Sequence, residues 1–174
     1  PDAAEWLHVC LASGWSASEH AGKSFADVHR PVPHHAPLVD RADVLVQAML
    51  HRGPFVRHVW GLHRDDALCH DPNLHRQPND RISDPSEAAH ATWYRVERQT
   101  LLGVPAHNRV AFSVRVFQRP LVDVASSAER AAVLASALAD MTPELVAYKG
   151  LSGRRDALIE WLDAQRPAAR RQSS

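Results

Sequence analysis

Apolar positions along the chain change their spacing several times, and each change marks an expected element. Residues 5–12, Glu5-Trp6-Leu7-His8-Val9-Cys10-Leu11-Ala12, form a short, mostly apolar run that predicts a buried strand ended by Ser13-Gly14. Ser16 with Glu19 three residues on has the pattern of a capped helix start, and Gly22 marks the end of that helix. Leu38, Ala42, Leu45 and Met49 then recur at helical spacing, with Val39, Val46 and Leu50 widening the stripe. A helix of several turns follows, stopped by Gly53-Pro54.

Residues 55–63 alternate imperfectly and carry Val56, Val59 and Trp60, which predicts a strand. From 65 to 91 the chain turns polar, with Pro72, Pro78 and Pro85, and reads as a long irregular connection of the kind used for lids. Two strands are expected at 92–102 and 109–118, around a turn at Pro105. Ser126 with Glu129 opens a helix whose face is Ala131, Leu134, Leu138 and Met141. Thr142-Pro143 starts a short helix that Gly150 ends. A last amphipathic helix carries Leu158, Trp161 and Leu162, and 167–174 is expected to be a disordered tail. Three late strands with little between the last two favour an antiparallel sheet covered on one face by helices, an α+β fold. The layout is a main domain over 1–125, a helical extension over 126–166 and the tail.

Composition narrows the function classes. Twenty basic and twenty acidic residues cancel in 174, so bulk charge recommends neither nucleic acid nor an anionic membrane as partner. Two cysteines, Cys10 and Cys69, are too few for a disulfide framework or for the four thiolates of an ordinary iron–sulfur cluster. No apolar run is long enough to span a bilayer, the first residues lack the pattern of a signal peptide, and the chain reads as cytoplasmic. Twelve histidines are many for this length, and most are expected on the surface. Cys69, His70 and His75 would make a poor zinc site, since they stand in a proline-broken loop with no H-E-x-x-H pair.

Candidate chemistry concentrates in Tyr94-Arg95-Val96-Glu97-Arg98-Gln99-Thr100-Leu101, where three ionised groups interrupt a strand pattern. Charges placed there need partners. Alternation sets Arg95, Glu97 and Gln99 on one face and Tyr94, Val96 and Arg98 on the other; on the next strand it separates Ala111, Ser113, Arg115 and Phe117 from Val110, Phe112, Val114 and Val116. Two uses compete. Glu97 can close an internal ion pair with Arg115 or Arg57, or the arginines can clamp acidic groups of a ligand while Glu97 holds a cationic one.

The landmarks Trp15, Gly22-Lys23, Val28-His29-Arg30-Pro31-Val32-Pro33, Arg57 with Trp60, residues 95–101, Phe112 and Arg115 occur in an order and spacing that resemble the haem-dependent oxidative N-demethylase, alpha-subunit-like family. The resemblance runs over residues 7–125. It implies a PAS-like fold over 1–125 that binds haem b, and a monooxygenase that oxidises the C–H bond beside an amine nitrogen, with dioxygen and a small amine as substrates. The resemblance also implies that electrons come from flavin and iron–sulfur groups on a separate partner, and the absence of a G-x-G-x-x-G fingerprint here agrees with that. Self-association is compatible with this reading.

On the same resemblance, His29 beside the stiff Pro31 and Pro33 is the first choice for axial iron ligand, with His34, His35, His58 and His63 in reserve. Arg57, Arg98 and Arg115 are assigned to the haem propionates, Trp60 and Phe112 to the pocket wall, and Glu97 to the protonated amine. The alternative is a haem, gas or small-ligand sensor with the same fold and no turnover.

Overall fold

The computed structural model describes residues 3–74 and 81–165. It is α+β, built on an open antiparallel sheet of three strands in the order β1-β2-β3, and its contacts divide the chain into two compact units.

The first unit comprises Pro1–Gly61, Ala67–Gln77 and Arg95–Gln118. It opens with short helices, α1 (Ala17–His20), α2 (Phe25–His29) and α3 (Ala36–Val39), followed by α4 (Ala42–His51). The stripe from Leu38 to Met49 is therefore split between two helices, because Arg41 leaves helical geometry at φ −112°, ψ 16°. Ser24 caps α2: its hydroxyl accepts from the Asp27 amide at 3.1 Å and donates to the Asp27 carboxylate at 2.8 Å. That bond, with the Arg30 guanidinium 3.2 Å away, holds the Asp27 carboxyl below the usual range.

The strand expected at residues 5–12 is absent. Its backbone is held at points only, by isolated bridges pairing Ala3 with Ser24 and Ser13 with His70. Trp6 is 81% exposed. Glu5, Trp6, His8 and Cys10 are exposed along the run, and only its last residue, Ala12, is buried.

The strands themselves follow the pattern read from the sequence: β1 (Phe55–His63), β2 (Trp93–Val104) and β3 (Arg109–Pro120). The β2–β3 turn is a single 3-10 turn, Pro105–His107, closed by Asn108 in the left-handed region at φ 50°, where asparagine is tolerated. The two strands are equal in length, and just beyond them Leu121 N–H donates to the Thr92 carbonyl at 2.8 Å. This register sets residue 98 opposite 115 and residue 97 opposite 116. Helix α4 lies against β2 at Gly103. A Cβ there would stand 2.6 Å from the Leu50 carbonyl carbon and 2.8 Å from the Met49 oxygen, so only glycine permits the approach.

The second unit comprises Leu62–Asp66, Pro78–Tyr94 and Arg119–Ser174. Its helices are α5 (Pro85–His90), α6 (Leu121–Val124), α7 (Ala128–Ala139), α8 (Pro143–Tyr148) and α9 (Arg155–Ala164). Helix α5 falls inside the stretch expected to be irregular, yet its signals are local: Asp84 accepts from the Glu87 amide at 2.7 Å and Pro85 occupies the first turn. The α7 cap is Ser127, one residue past the expected Ser126, and the α8 cap is Thr142.

Leu121, Leu138, Leu151, Leu158 and Leu162 are fully buried here. Arg155 donates to the Leu138 and Ala139 carbonyls at 2.8 and 2.6 Å and so satisfies the C-terminus of α7. Arg154 is buried as well, donating to Thr92 Oγ1 at 2.8 Å and the Leu62 carbonyl at 2.9 Å. Burial, with the nearby Arg64 cation second, lowers its pKa to about 10. Residues 167–174, the expected tail, lie outside the described residues. Among the described residues no helix is long and apolar enough to cross a membrane.

Candidate functional site

The charges singled out on β2 form a polar thread along one face of the sheet. Arg95, 1% exposed, donates from its two terminal nitrogens to the Leu68 carbonyl at 2.7 Å and the Leu11 carbonyl at 2.8 Å, and its Nε faces Glu97 Oε1 at 3.4 Å. Burial lowers the Arg95 pKa, and the Glu97 carboxylate opposes that shift. Gln99 donates to Glu97 Oε2 at 3.1 Å, while its own carbonyl accepts from Arg57 Nε at 2.6 Å. Arg57 thereby fixes which way the Gln99 amide points, with its NH2 toward Glu97.

The partner of Glu97 is thus Arg95, its neighbour two residues back, rather than Arg115 or Arg57. A strand side chain reaches i+2 on its own face, and Arg95 is drawn inward by the Leu68 and Leu11 carbonyls. Each Glu97 oxygen takes one of these bonds, and an ionised carboxylate has lone pairs for about four. Its side chain is 17% exposed. The carboxylate is held from two sides and still reachable.

Around this thread the same face is apolar and open. Phe55 and Val59 flank Arg57 on β1, and the β2–β3 register brings Phe112 and Val114 of β3 to that side. All four are exposed: 40, 38, 52 and 42%. Contiguous exposed apolar side chains beside a positioned carboxylate are what a binding floor requires.

Alternation divides the other expected residues. Arg57 and Phe112 share the Glu97 face. Trp60, Arg98 and Arg115 stand on the opposite one, where the Arg115 guanidinium lies 5.1 Å over the Phe117 ring. One flat ligand cannot touch both sets. Arg98 and Arg115 are exposed and Trp60 is half-buried.

His29 is the last residue of α2 and half-buried. Its Nδ1 donates to the Phe25 carbonyl at 2.8 Å, and its ring packs on Phe25 with centroids 4.3 Å apart. The bond fixes the tautomer, leaving the Nε2 lone pair for a metal. His20, His35 and His90 are tied to carbonyls in the same way, so the device alone does not single out His29. Of the other reserves, His34 adopts φ 60°, His58 is exposed and His63 is half-buried. The two best-formed depressions are open ones, on α4 around Asp43, Gln47 and His51, and beside α2 around Lys23, Asp27, Arg30 and Pro31. The second adjoins His29 in sequence.

Among the described residues no group of three His, Cys, Asp or Glu side chains is arranged to hold a metal ion. His75, part of the zinc alternative, lies outside the described residues. A porphyrin asks less, one axial imidazole together with apolar contact and cations for its carboxylates. His29, Arg57 and Phe112 are each of a residue type that such a group uses, an imidazole, a cation and an apolar ring.

What sequence reasoning undervalued is the supporting role of Arg95 and Gln99. Their spacing of two from Glu97 was the available signal, and the burial of Arg95 against two distant carbonyls was not. Compared with known protein families, the chain matches the haem-dependent oxidative N-demethylase, alpha subunit-like family over residues 4–159. It belongs to that family.

Proposed function

From that membership as premise, we propose that the chain is the haem-carrying part of a monooxygenase that removes an N-methyl group from a small amine. The single observation that supports this best is Glu97, a carboxylate gripped by Arg95 and Gln99 and standing on an open apolar floor. Apolar contact with one carboxylate is the complement of a protonated methylamine. Haem b, when bound, supplies activation of dioxygen. The residues that would hold it are His29, through its Nε2 lone pair on the iron, Arg57, as a cation for a propionate, and Phe112, as apolar contact for the macrocycle.

Glu97 holds the ammonium and so presents the methyl carbon. Arg95 holds one oxygen of that carboxylate and Gln99 the other, which fixes its rotation. The net change balances as one methyl C–H bond and dioxygen, with two electrons and two protons, becoming a hydroxymethyl group and water; the C–N bond then breaks to give the shorter amine and formaldehyde. Electrons reach the haem from flavin and iron–sulfur groups on a companion protein, which accords with the family being described as an alpha subunit.

Haem titration followed by absorption tests this. Wild type should develop a Soret band that shifts when dimethylamine is added. His29→Ala should change the band itself, and Glu97→Gln should keep the band and lose the amine-induced shift. Absence of haem uptake by wild type refutes the reading. A Glu97→Gln variant that answers dimethylamine as wild type does removes Glu97 from the site. A sensor with the same fold would bind haem and release no formaldehyde when a reductant is supplied.

A further inference from the structure

We infer that the sheet face opposite Glu97 is the docking surface for an acidic patch on the companion protein that delivers electrons. This rests on the reading above that the electrons come from a separate protein. Arg98 and Arg115 stand directly opposite one another across β2 and β3, both exposed, and His58 of β1 shares their face and is exposed too. Like charges placed opposite across strands destabilise a sheet. Among the described residues the strands place no carboxylate beside them: between 56 and 60 on β1, 96 and 102 on β2 and 111 and 117 on β3, the residues facing this way are Val, His, Trp, Thr, Leu, Ala, Ser, Arg and Phe, and Glu5, at the hairpin end, is taken by Arg109 at 2.8 Å.

The cations sit within an apolar surround, with Val56, Leu102 and Phe117 exposed by 48, 49 and 45%. An apolar patch with unopposed arginines has the composition of a protein interface, where arginine and aromatic residues are enriched and the partner's potential is complementary. Shape favours a macromolecule over a small anion. Small-ligand sites are concave, whereas the best-formed depressions of the described residues lie on α4 and beside α2 and include none of these side chains. Protein is favoured over nucleic acid because Val56 and Leu102 offer no stacking surface and the Phe117 ring already has the Arg115 guanidinium 5.1 Å from its centroid. The two sheet faces then divide the labour, the Glu97 face taking cofactor and substrate and the arginine face taking the electron donor.

The test uses the full chain and an acidic [2Fe–2S] ferredoxin as probe, with binding followed by amide NMR shifts. Binding is expected at low salt, weakening steeply as salt rises, with perturbed amides clustered at 56–60, 96–102 and 111–117. The R98E/R115E variant should bind about tenfold more weakly or worse, and R98Q/R115Q, which adds no new charge, should fall between. Four results would overturn the inference: no binding of the probe by wild type; equal binding by the double variants; an oligonucleotide or anionic vesicle bound through these arginines in the probe's place; or loss of haem uptake in R98Q/R115Q, which would return the arginines to the cofactor. Failure of the functional reading looks different, since a wild type that takes up no haem still answers the probe through its sheet face.

Discussion

The two units handle apolar side chains in opposite ways. In the helical unit five leucines are fully buried, and Arg154 and Arg155 donate to the backbone carbonyls of Leu62, Leu138 and Ala139. In the sheet unit Phe55, Val59, Phe112, Val114 and Phe117 remain exposed, and the most deeply buried side chain is an arginine. A unit that encloses most of its apolar surface, leaving Val133 and Tyr148 exposed among its described large apolar side chains, is a structural element. One that leaves such surface open around an oriented carboxylate is built to bind.

The contrast can be broken hardest at Arg95. Arg95→Ala leaves the Leu11 and Leu68 carbonyls without donors and Glu97 without its cation, and should cost about 3–5 kcal/mol, read as a fall in urea midpoint. Arg95→Lys should recover only part, since one ammonium cannot reach both carbonyls and the carboxylate in the same geometry. If Arg95→Ala unfolds as wild type does, the polar thread is ornamental to stability and the contrast fails.

Leu158→Ala comes next, in the closed unit, at roughly 3 kcal/mol. Haem uptake per folded molecule should be unchanged. Arg154→Gln should cost about 2 kcal/mol, because the Leu62 carbonyl loses its donor. Its pH signature has a definite sign. Burial lowers the native pKa to about 10, below the ordinary arginine range, so the unfolded chain holds this proton more tightly and the native cation carries a standing penalty. That penalty is flat below roughly pH 9 and relieved as pH climbs from about 10 toward the ordinary arginine range, so wild type should gain on Arg154→Gln only in that window. The smallest stability effect belongs to Phe112→Ser, within about 0.5 kcal/mol as for other exposed positions, yet this variant should weaken haem uptake. A large loss of stability with unchanged uptake would place Phe112 in the core instead of on the binding floor.

Much of the fold was legible because its signals are local. The limits of β1 follow from Gly53-Pro54 and its alternation, and α8 from Thr142-Pro143. Residues 5–12 misled because composition without a period cannot tell a strand from an apolar strand-like segment held at isolated points. Helix α5 was passed over because the prolines around it suggested an irregular stretch, although Asp84-Pro85 with Glu87 is a helix start.

The site was half legible. Alternation placed Arg95, Glu97 and Gln99 together, and the same rule shows that Arg57 and Trp60 face opposite ways, as do Phe112 and Arg115. What no spacing reveals is a side chain's long-range partner. The carbonyls of Leu11 and Leu68 lie 84 and 27 residues from Arg95 in sequence, and nothing in the sequence between them announces the contact.

Those separations also order events in time. Closing a loop of 84 residues costs more chain entropy than joining β2 to β3 through a three-residue turn. The hairpin should therefore assemble early and the amino-terminal segment dock last, its arrival reported by Arg95, which receives the Leu11 carbonyl, and by Arg109, which pairs with Glu5. Under mild stress the sequence reverses. Hydrogen exchange would find amides near Ala4 and Gly14 unprotected while the hairpin still resists, and a protease would reach the first dozen residues before any other part of the sheet unit.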